Sequence, residues 1–282
     1  MKEFLKQFSS FVSKYGLEVS NVFDDFLQYI IWVHTLPEYG KKIESWGYTP
    51  SQSKEMYDMY CTLILAVKPE IDRNGWFDAF GFIYEDMIAG KFRRSNSGQF
   101  FTPPSICNLM TYISAPKEQR IVGKTISDPT CGSGRNLLAL HAEHVGNYYV
   151  AEDIDRTCCM MTVCNFIIHG VEGEVIWHNT LQPDTFYGGW KTNEQLNSLF
   201  SQYRGIPHVR EISYDDTLLK KINDKSAEVF HIKEKLSEAY KKQLAALSLA
   251  RSSKTTSENR KQRIIAITKQ ISNIKKLMKK YD

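Results

Sequence analysis

Residues 128–138 read "DPTCGSGRNLL" and follow the β-branched run "RIVGKTIS" at 120–127. A strand, a glycine turn and a helix in that order let a small molecule approach bare backbone, because Gly132 and Gly134 carry no side chain to obstruct it. The same pattern also occurs as a plain structural turn, so the surrounding chain decides between the two. Between about 120 and 181, three short β runs, "KTIS", "NYYVAED" and "GEVIWHN", alternate with the helical stretches "RNLLALHAEH" and "RTCCMMTVCNFIIHG". That order predicts a βαβαβ unit with parallel strands and right-handed crossovers, and it places ligands beyond the carboxyl ends of the strands.

On the amino side, the first 90 or so residues predict helices. "FLKQFSSFVSKYG" and "EMYDMYCTLILAV" repeat apolar residues at three and four apart, and Trp32, Trp46 and Trp76 are expected in their packing. On the carboxyl side, Val229, Ile232, Leu236, Tyr240, Leu244 and Leu247, then Ile264, Ile267, Ile271, Ile274, Met278 and Tyr281, predict two apolar seams. With the polar link "RSSKTTSEN" between them, they suit an antiparallel hairpin. The expected organisation is a helical region over 1–95, an α/β domain over 96–218 and a basic helical hairpin over 219–282.

The net charge of +4 is unevenly spread. Residues 220–282 carry +11, from 17 Lys+Arg against 6 Asp+Glu, while the rest carries −7. A basic tail on an acidic body gives an electrostatic route to nucleic acid. No apolar run reaches the roughly 18 residues of a membrane helix, and the first residues lack a signal-peptide core, so a cytoplasmic location and no membrane contact are expected. The six cysteines show no paired framework and no zinc-ligand spacing, and reduced thiols are expected. His141 and His144 stand at i and i+3 without a further ligand nearby. They are expected as partly exposed helix residues, and no metal site follows.

The α/β unit carries a binding constellation. Asp153, in "VAEDID", lies 25 residues after Asp128, close to the spacing at which an acid grips ribose hydroxyls in dinucleotide folds. Asn179, just after the third strand, is placed to meet an adenine edge. A dinucleotide would favour G-x-G-x-x-G and a helix terminus aimed at its pyrophosphate. Here Asp128 puts a negative charge at the mouth of D-P-T-C-G-S-G, which repels an anion and welcomes a cationic amino group. S-adenosylmethionine, with a diol, a sulfonium, an amino acid end and no phosphate, fits those residues.

"GQFFTPP" at 98–104, "DPTCGSGRNLL" at 128–138, "EDID" at 152–155, "CNFIIHG" at 164–170 and "NTL" at 179–181 together resemble the amino half of DNA adenine-N6 methyltransferases. The resemblance is closest to the modification subunits of type I restriction systems and covers roughly 76–190. It implies a partial Rossmann-like S-adenosylmethionine-dependent methyltransferase fold, with S-adenosylmethionine as cofactor. It gives Phe100, Thr102 and Pro103 to a segment closing over the methionine end, Asp128, Thr130, Gly132 and Gly134 to the turn beneath, and Asp153 to the ribose. Asn179 stands where the family usually has Asp, and its carbonyl can still accept from the adenine amino group. The resemblance further implies DNA and a specificity-type subunit as partners. The tail, residues 225–281, is then either the contact for that subunit or a surface for self-association.

The family holds the target amine with Asn/Asp-Pro-Pro-Tyr/Phe. After Asn179 the only prolines are Pro183 and Pro207, and "PHVREISY" is the only later strand-like run. No catalytic residue is therefore assigned. The expectation is a cofactor-binding protein that is inactive alone or partner-dependent. One alternative is an active adenine methyltransferase with an unrecognised or partner-supplied site, using Asn193 or Asn197 beside Trp190 or Tyr187, although "KTNEQLN" reads as an ordinary polar helix. The other is a non-enzymatic adaptor for DNA or a specificity-type subunit. "PDTFYGGWKTNEQLN" is rich in turn residues and suits either a cap on an exposed sheet edge or a partner surface.

Overall fold

The computed structural model describes residues 1–36, 47–89, 101–115, 119–182, 184–199, 201–252 and 257–281. In α1 (Lys2–Tyr15) the spacing of Phe4, Phe8, Phe11 and Val12 gives one buried face, and Gly16 ends the helix in the left-handed region at φ 62°. After α2 (Val19–Val33), α3 (Pro50–Asn74) opens on a capping box between Thr49 and Gln52 with Pro50 in the first turn. A short α4 (Ala79–Ile83), capped by the Asp78 carboxylate, runs on into a π-helical turn at Tyr84–Ala89. Trp76 is buried and donates Nε1–H to Asn108 Oδ1 at 2.8 Å, which ties it to α5 (Pro104–Ser114). Trp32, expected in the packing, is 42% exposed, because it falls off the buried face of α2; Trp46 lies outside the described residues.

Three strands, β1 (Thr125–Asp128), β2 (Tyr148–Asp153) and β3 (Gly173–Trp177), pair in parallel, with Asp128 level with Ala151 and Asp153 level with Trp177. Their connections are α6 (Arg135–Glu143) and α7 (Arg156–His169). Every residue from Cys158 to Ile167 is buried, since α7 packs on α2 on one side and on β2 and β3 on the other. A helix in that position is apolar all round, which is why "CCMMTVCNFII" shows no polar stripe. The amino-terminal helices and the sheet therefore share one core.

The sheet does not stop at β3. Gly188–Thr192 forms β4, antiparallel to β3, and Val209–Glu211 forms β5, antiparallel to β4, which gives a mixed sheet in the order β1-β2-β3-β4-β5. The expectation of a single late strand missed β4, because its two glycines hide the alternation on which strand reading rests. Gly189 is required there: a Cβ would stand 3.1 Å from Ile212 and 3.2 Å from the Val175 carbonyl. The stretch "PDTFYGGWKTNEQLN" thus extends the edge of β3. "KTNEQLN" is not a polar helix but the end of β4 and a turn in which Asn193 and Gln195 take φ 55° and 58°. Thr35 bridges β5 on its far side.

Residues 1–214 and 215–282 form two compact units. In the second, α8 (Leu218–Ser252) packs along α9 (Ser257–Tyr281) with Leu247 against Ile267 and Ile271, flanked by Tyr240, Ala246 and Ile264. Residues late in α8 meet residues early in α9, so the pair is antiparallel. Leu244 is 42% exposed: the seam passes through Ala246 and Leu247 instead. No described helix is long and apolar enough to cross a membrane.

Candidate functional site

The carboxyl ends of β1 and β2 bracket the glycine turn. Asp128 ends β1, its Oδ1 accepting the Thr130 N–H at 3.1 Å and its Oδ2 accepting from Asn136 Nδ2 at 3.3 Å. The Cys131 N–H donates to the Glu152 carbonyl at 2.9 Å, which fastens the turn to β2. Gly132 and Gly134 take φ 55° and 84°, the left-handed region that side chains resist. A Cβ on Gly134 would sit 3.0 Å from Thr162 on α7, so this glycine permits the close approach of turn and helix. The Gly132 N–H donates to Asp153 Oδ2 at 2.9 Å, while Asp153 Oδ1 accepts the Asp155 N–H at 2.9 Å. A carboxylate offers about four acceptor sites, so Asp153 keeps capacity for further donors at the lip of the turn.

The segment before α5 lies against this turn. A Cβ on Gly132 would come 3.0 Å from the Phe101 ring, and the guanidinium of Arg135 stands 5.3 Å from the same ring. Arg135 Nη1 also donates to the Thr102 carbonyl at 3.2 Å. Thr102, Asp128, Thr130, Gly132, Gly134 and Asp153 are thereby brought together around one turn, with Pro103 next to Thr102 as the N-cap of α5; Phe100 lies outside the described residues. Asn179 follows β3, its Oδ1 accepting the Leu181 N–H at 3.1 Å and its N–H donating to Thr185 Oγ1 at 3.0 Å.

Beneath the turn runs a charged network that sequence reading missed. Arg135 Nε donates to Asp78 Oδ2, and its Nη2 meets Glu85 Oε2 at 2.7 Å. Asp78 also accepts from the Gly81 N–H and Asn165 Nδ2, each at 2.7 Å, and from Ser133 Oγ at 2.5 Å. Four groups from α4, the turn, α6 and α7 thus meet at one buried carboxylate. The only advance signal was an Asp with N-cap character at the head of "DAFGF".

On the opposite face of the sheet, Ser127 Oγ donates to Glu152 Oε1 at 3.0 Å and His178 Nε2 meets Glu152 Oε2 at 2.7 Å. Among the described residues the buried His178 Nδ1 has no partner. Asn193, weighed as a substitute amine acceptor, is fully buried and committed: Nδ2 donates to the Phe166 and Val171 carbonyls at 2.9 Å, and Oδ1 accepts the His208 N–H at 3.1 Å. It braces a turn. Asn197 is exposed on the surface. His144, expected to be partly exposed, is buried, with Nδ1 accepting the Ile121 N–H at 3.3 Å and Nε2 donating to the Ala115 carbonyl at 2.7 Å. Burial lowers the His141 pKa to about 4. No cluster able to hold a metal occurs among the described residues, and all six cysteines are free thiols. Burial pushes the thiols of Cys131, Cys159 and Cys164 well above their usual range, so they are inert at neutral pH.

Comparison with known proteins adds family evidence to this geometry. The N-6 DNA Methylase family matches residues 76–265. The EcoEI type I restriction enzyme methylase subunit of Escherichia coli is 29% identical over 107 residues, covering 33% of this chain and 21% of that protein. The MjaIX type I methylase subunit of Methanocaldococcus jannaschii is 31% identical over 119 residues, 39% of this chain and 20% of the relative. The MpnII type I methylase subunit of Mycoplasma pneumoniae is 30% identical over 115 residues, 36% and 20%. The chain therefore spans about a fifth of the length of these relatives. No solved structure matches it. With the family match extending across the glycine turn, both parallel crossovers and the added antiparallel strands, this chain belongs to the N-6 DNA methylase family.

Proposed function

We propose that the chain binds S-adenosylmethionine at the turn 128–134 and acts as the cofactor-holding part of a type I-like DNA adenine methylation system, without completing methyl transfer alone. The observation that carries the reading is the pinned carboxylate of Asp153. Its contact with the Gly132 N–H holds it beside the glycine turn at the carboxyl ends of the strands, with acceptor capacity left for a diol. The two carboxylates at the turn, Asp128 and Asp153, are in keeping with a cationic ligand. When bound, the cofactor supplies an electrophilic methyl group. Asp153 then fixes the ribose, Asp128 attracts the amino group, and Phe101 with Thr102 covers the turn.

Methylating an exocyclic amine requires acceptors that grip its protons. The chain has no Pro-Pro pair after Asn179, and Asn193 is used up inside the fold. DNA and a specificity-type subunit are the proposed partners, with the basic hairpin at 225–281 as their contact.

Calorimetric titration with S-adenosylmethionine, run beside a methyl-transfer assay on mixed-sequence DNA, tests both halves. Binding is expected without methyl incorporation. Asp153→Ala should weaken binding by roughly 30- to 150-fold, the value of about 2 to 3 kcal/mol for a charge-assisted bidentate contact. Absence of heat at millimolar cofactor refutes the site. Incorporation above background that vanishes in Asp153→Ala refutes the inactivity.

A further inference from the structure

We infer that the chain forms a twofold dimer in which β1 pairs antiparallel with β1 of a second copy while the two α5 helices pack on each other. The proposal concerns the cofactor-free chain, because it engages Asp128, and its test needs no cofactor. Two independent surfaces point to it.

The first is the bare edge of β1. The Lys124 carbonyl accepts the Tyr148 N–H at 2.8 Å, so the period-two alternation of a strand turns the backbone groups of Ile126 and Asp128 toward β2. The N–H and C=O of Thr125 and Ser127 then face outward, where no described residue pairs with them. Both residues are exposed. A doubly wound sheet ordinarily continues on both sides of its first strand, and here no described strand pairs on one side. Unpaired edges of this kind are templates for another strand.

The second is α5. Its inner face buries Cys107 and Thr111 and carries Asn108, the partner of Trp76. On the opposite face Ile106, Leu109, Met110 and Ile113 follow i, i+3, i+4, i+7 spacing and remain 43–70% exposed. A helix of eleven residues that carries an exposed apolar stripe opposite its buried face needs a second cover. Across the sheet face the helices run α7 on β2 and β3, α6 on β1, and α5 on α6, so the stripe belongs to the β1 side of the molecule.

Charge selects a second copy as the occupant. With the dyad at Ile126, Thr125 of each strand lies opposite Ser127 of the other, and the two exchange both backbone hydrogen bonds. The same register sets Lys124 opposite Asp128 twice. The Lys124 ammonium is exposed and has no acidic partner among the described residues, and the Asp128 carboxylate has no basic one. An isologous interface needs such self-complementarity.

Light scattering after gel filtration, at about 100 μM protein and about 0.5 M salt, should give twice the 32.6 kDa chain mass. Thr125→Pro removes one outward donor at a position where strands tolerate proline. The pair Leu109→Asp with Ile113→Asp charges the stripe. Each should weaken dimerisation by about tenfold or more, with an unchanged tryptophan-monitored unfolding transition as the folding control. Ile126→Cys should form an intermolecular disulfide under mild oxidant, while the parent chain, with its own six thiols, should not. Phe230→Asp on the exposed hairpin surface should leave the dimer intact. A monomer at this concentration overturns the proposal and leaves the edge to a different polypeptide. So does a dimer that survives the α5 changes and gives no Ile126→Cys cross-link, since association then runs through another surface.

Discussion

Replacing Arg135 by methionine tests whether the network under the glycine turn holds the site together. The guanidinium is 6% exposed and its main partner, Asp78, is 3% exposed, so removal strands a carboxylate out of reach of water. Breaking a buried pair in this way costs about 3 to 5 kcal/mol. Asp78 retains Gly81 N–H, Ser133 Oγ and Asn165 Nδ2, which favours the lower end. The second pair, to Glu85, adds little because Glu85 is 42% exposed. A loss of about 3 kcal/mol follows, or roughly 6 to 12 °C in melting temperature for a unit of this size. All five tryptophans lie within residues 1–214, so their fluorescence during urea unfolding reports this unit without interference from the hairpin. The guanidinium also holds the Thr102 carbonyl, hence Arg135→Met should lower S-adenosylmethionine affinity by about tenfold or more even where the fold persists. A double-mutant cycle with Asp78→Asn should give a coupling of about 2 kcal/mol. Strict additivity, or a loss below about 1 kcal/mol for Arg135→Met, would refute the assignment.

Two more expectations follow from burial. His141 and His169 are held near a pKa of about 4 by burial, against an ordinary 6.5; the unfolded chain therefore takes up their protons first, and stability present above pH 6.5 is lost as pH falls toward 4. Each contributes at most roughly 3 kcal/mol to that slope; urea titrations at pH 7.5 and 4.5 should show the loss, and His169→Gln should flatten it, since His169 Nε2 accepts the Phe77 N–H at 3.1 Å and protonation breaks that bond. In the hairpin, the double change Ile267→Asp and Ile271→Asp removes two of the three buried residues of the seam among the described side chains, so helical circular dichroism should fall while the tryptophan transition stays put; an unchanged helix signal would count against the seam.

The parallel half of the sheet was legible because each strand there is a short β-branched run between helical patterns, and because the turn needs glycines that no other residue replaces. Asp128, Gly132, Gly134 and Asp153 could be placed for the same reason. β4 was not legible: glycines at 188 and 189 serve close packing on Ile212 and Val175, a tertiary demand with no local signature. Asn193 looked like a free polar residue because its partners, Phe166, Val171 and His208, are distant in sequence. Arg135 looked like an ordinary first-turn helix residue, and its partners lie 50 and 57 positions away. The hairpin seam was readable except at Leu244, where counting by fours drifted off the contact line.

The position of α7 separates two boundaries that are usually treated as one. The match to the family model begins at residue 76, yet α7 is enclosed on its outer side by α2, with Thr157 Oγ1 bonded to Asp24 Oδ1 at 2.9 Å and Cys164 Sγ reaching the Leu27 carbonyl at 3.5 Å. The block that the family model matches, residues 76–265, is therefore not the whole of the block that folds around α7. Exchange of the shared region between relatives would have to carry its own helical cover or meet a compatible one, so recombination at residue 76 would yield a chain whose central helix shows bare apolar surface to water. Substitutions on the face of α2 that meets α7 are then constrained by packing.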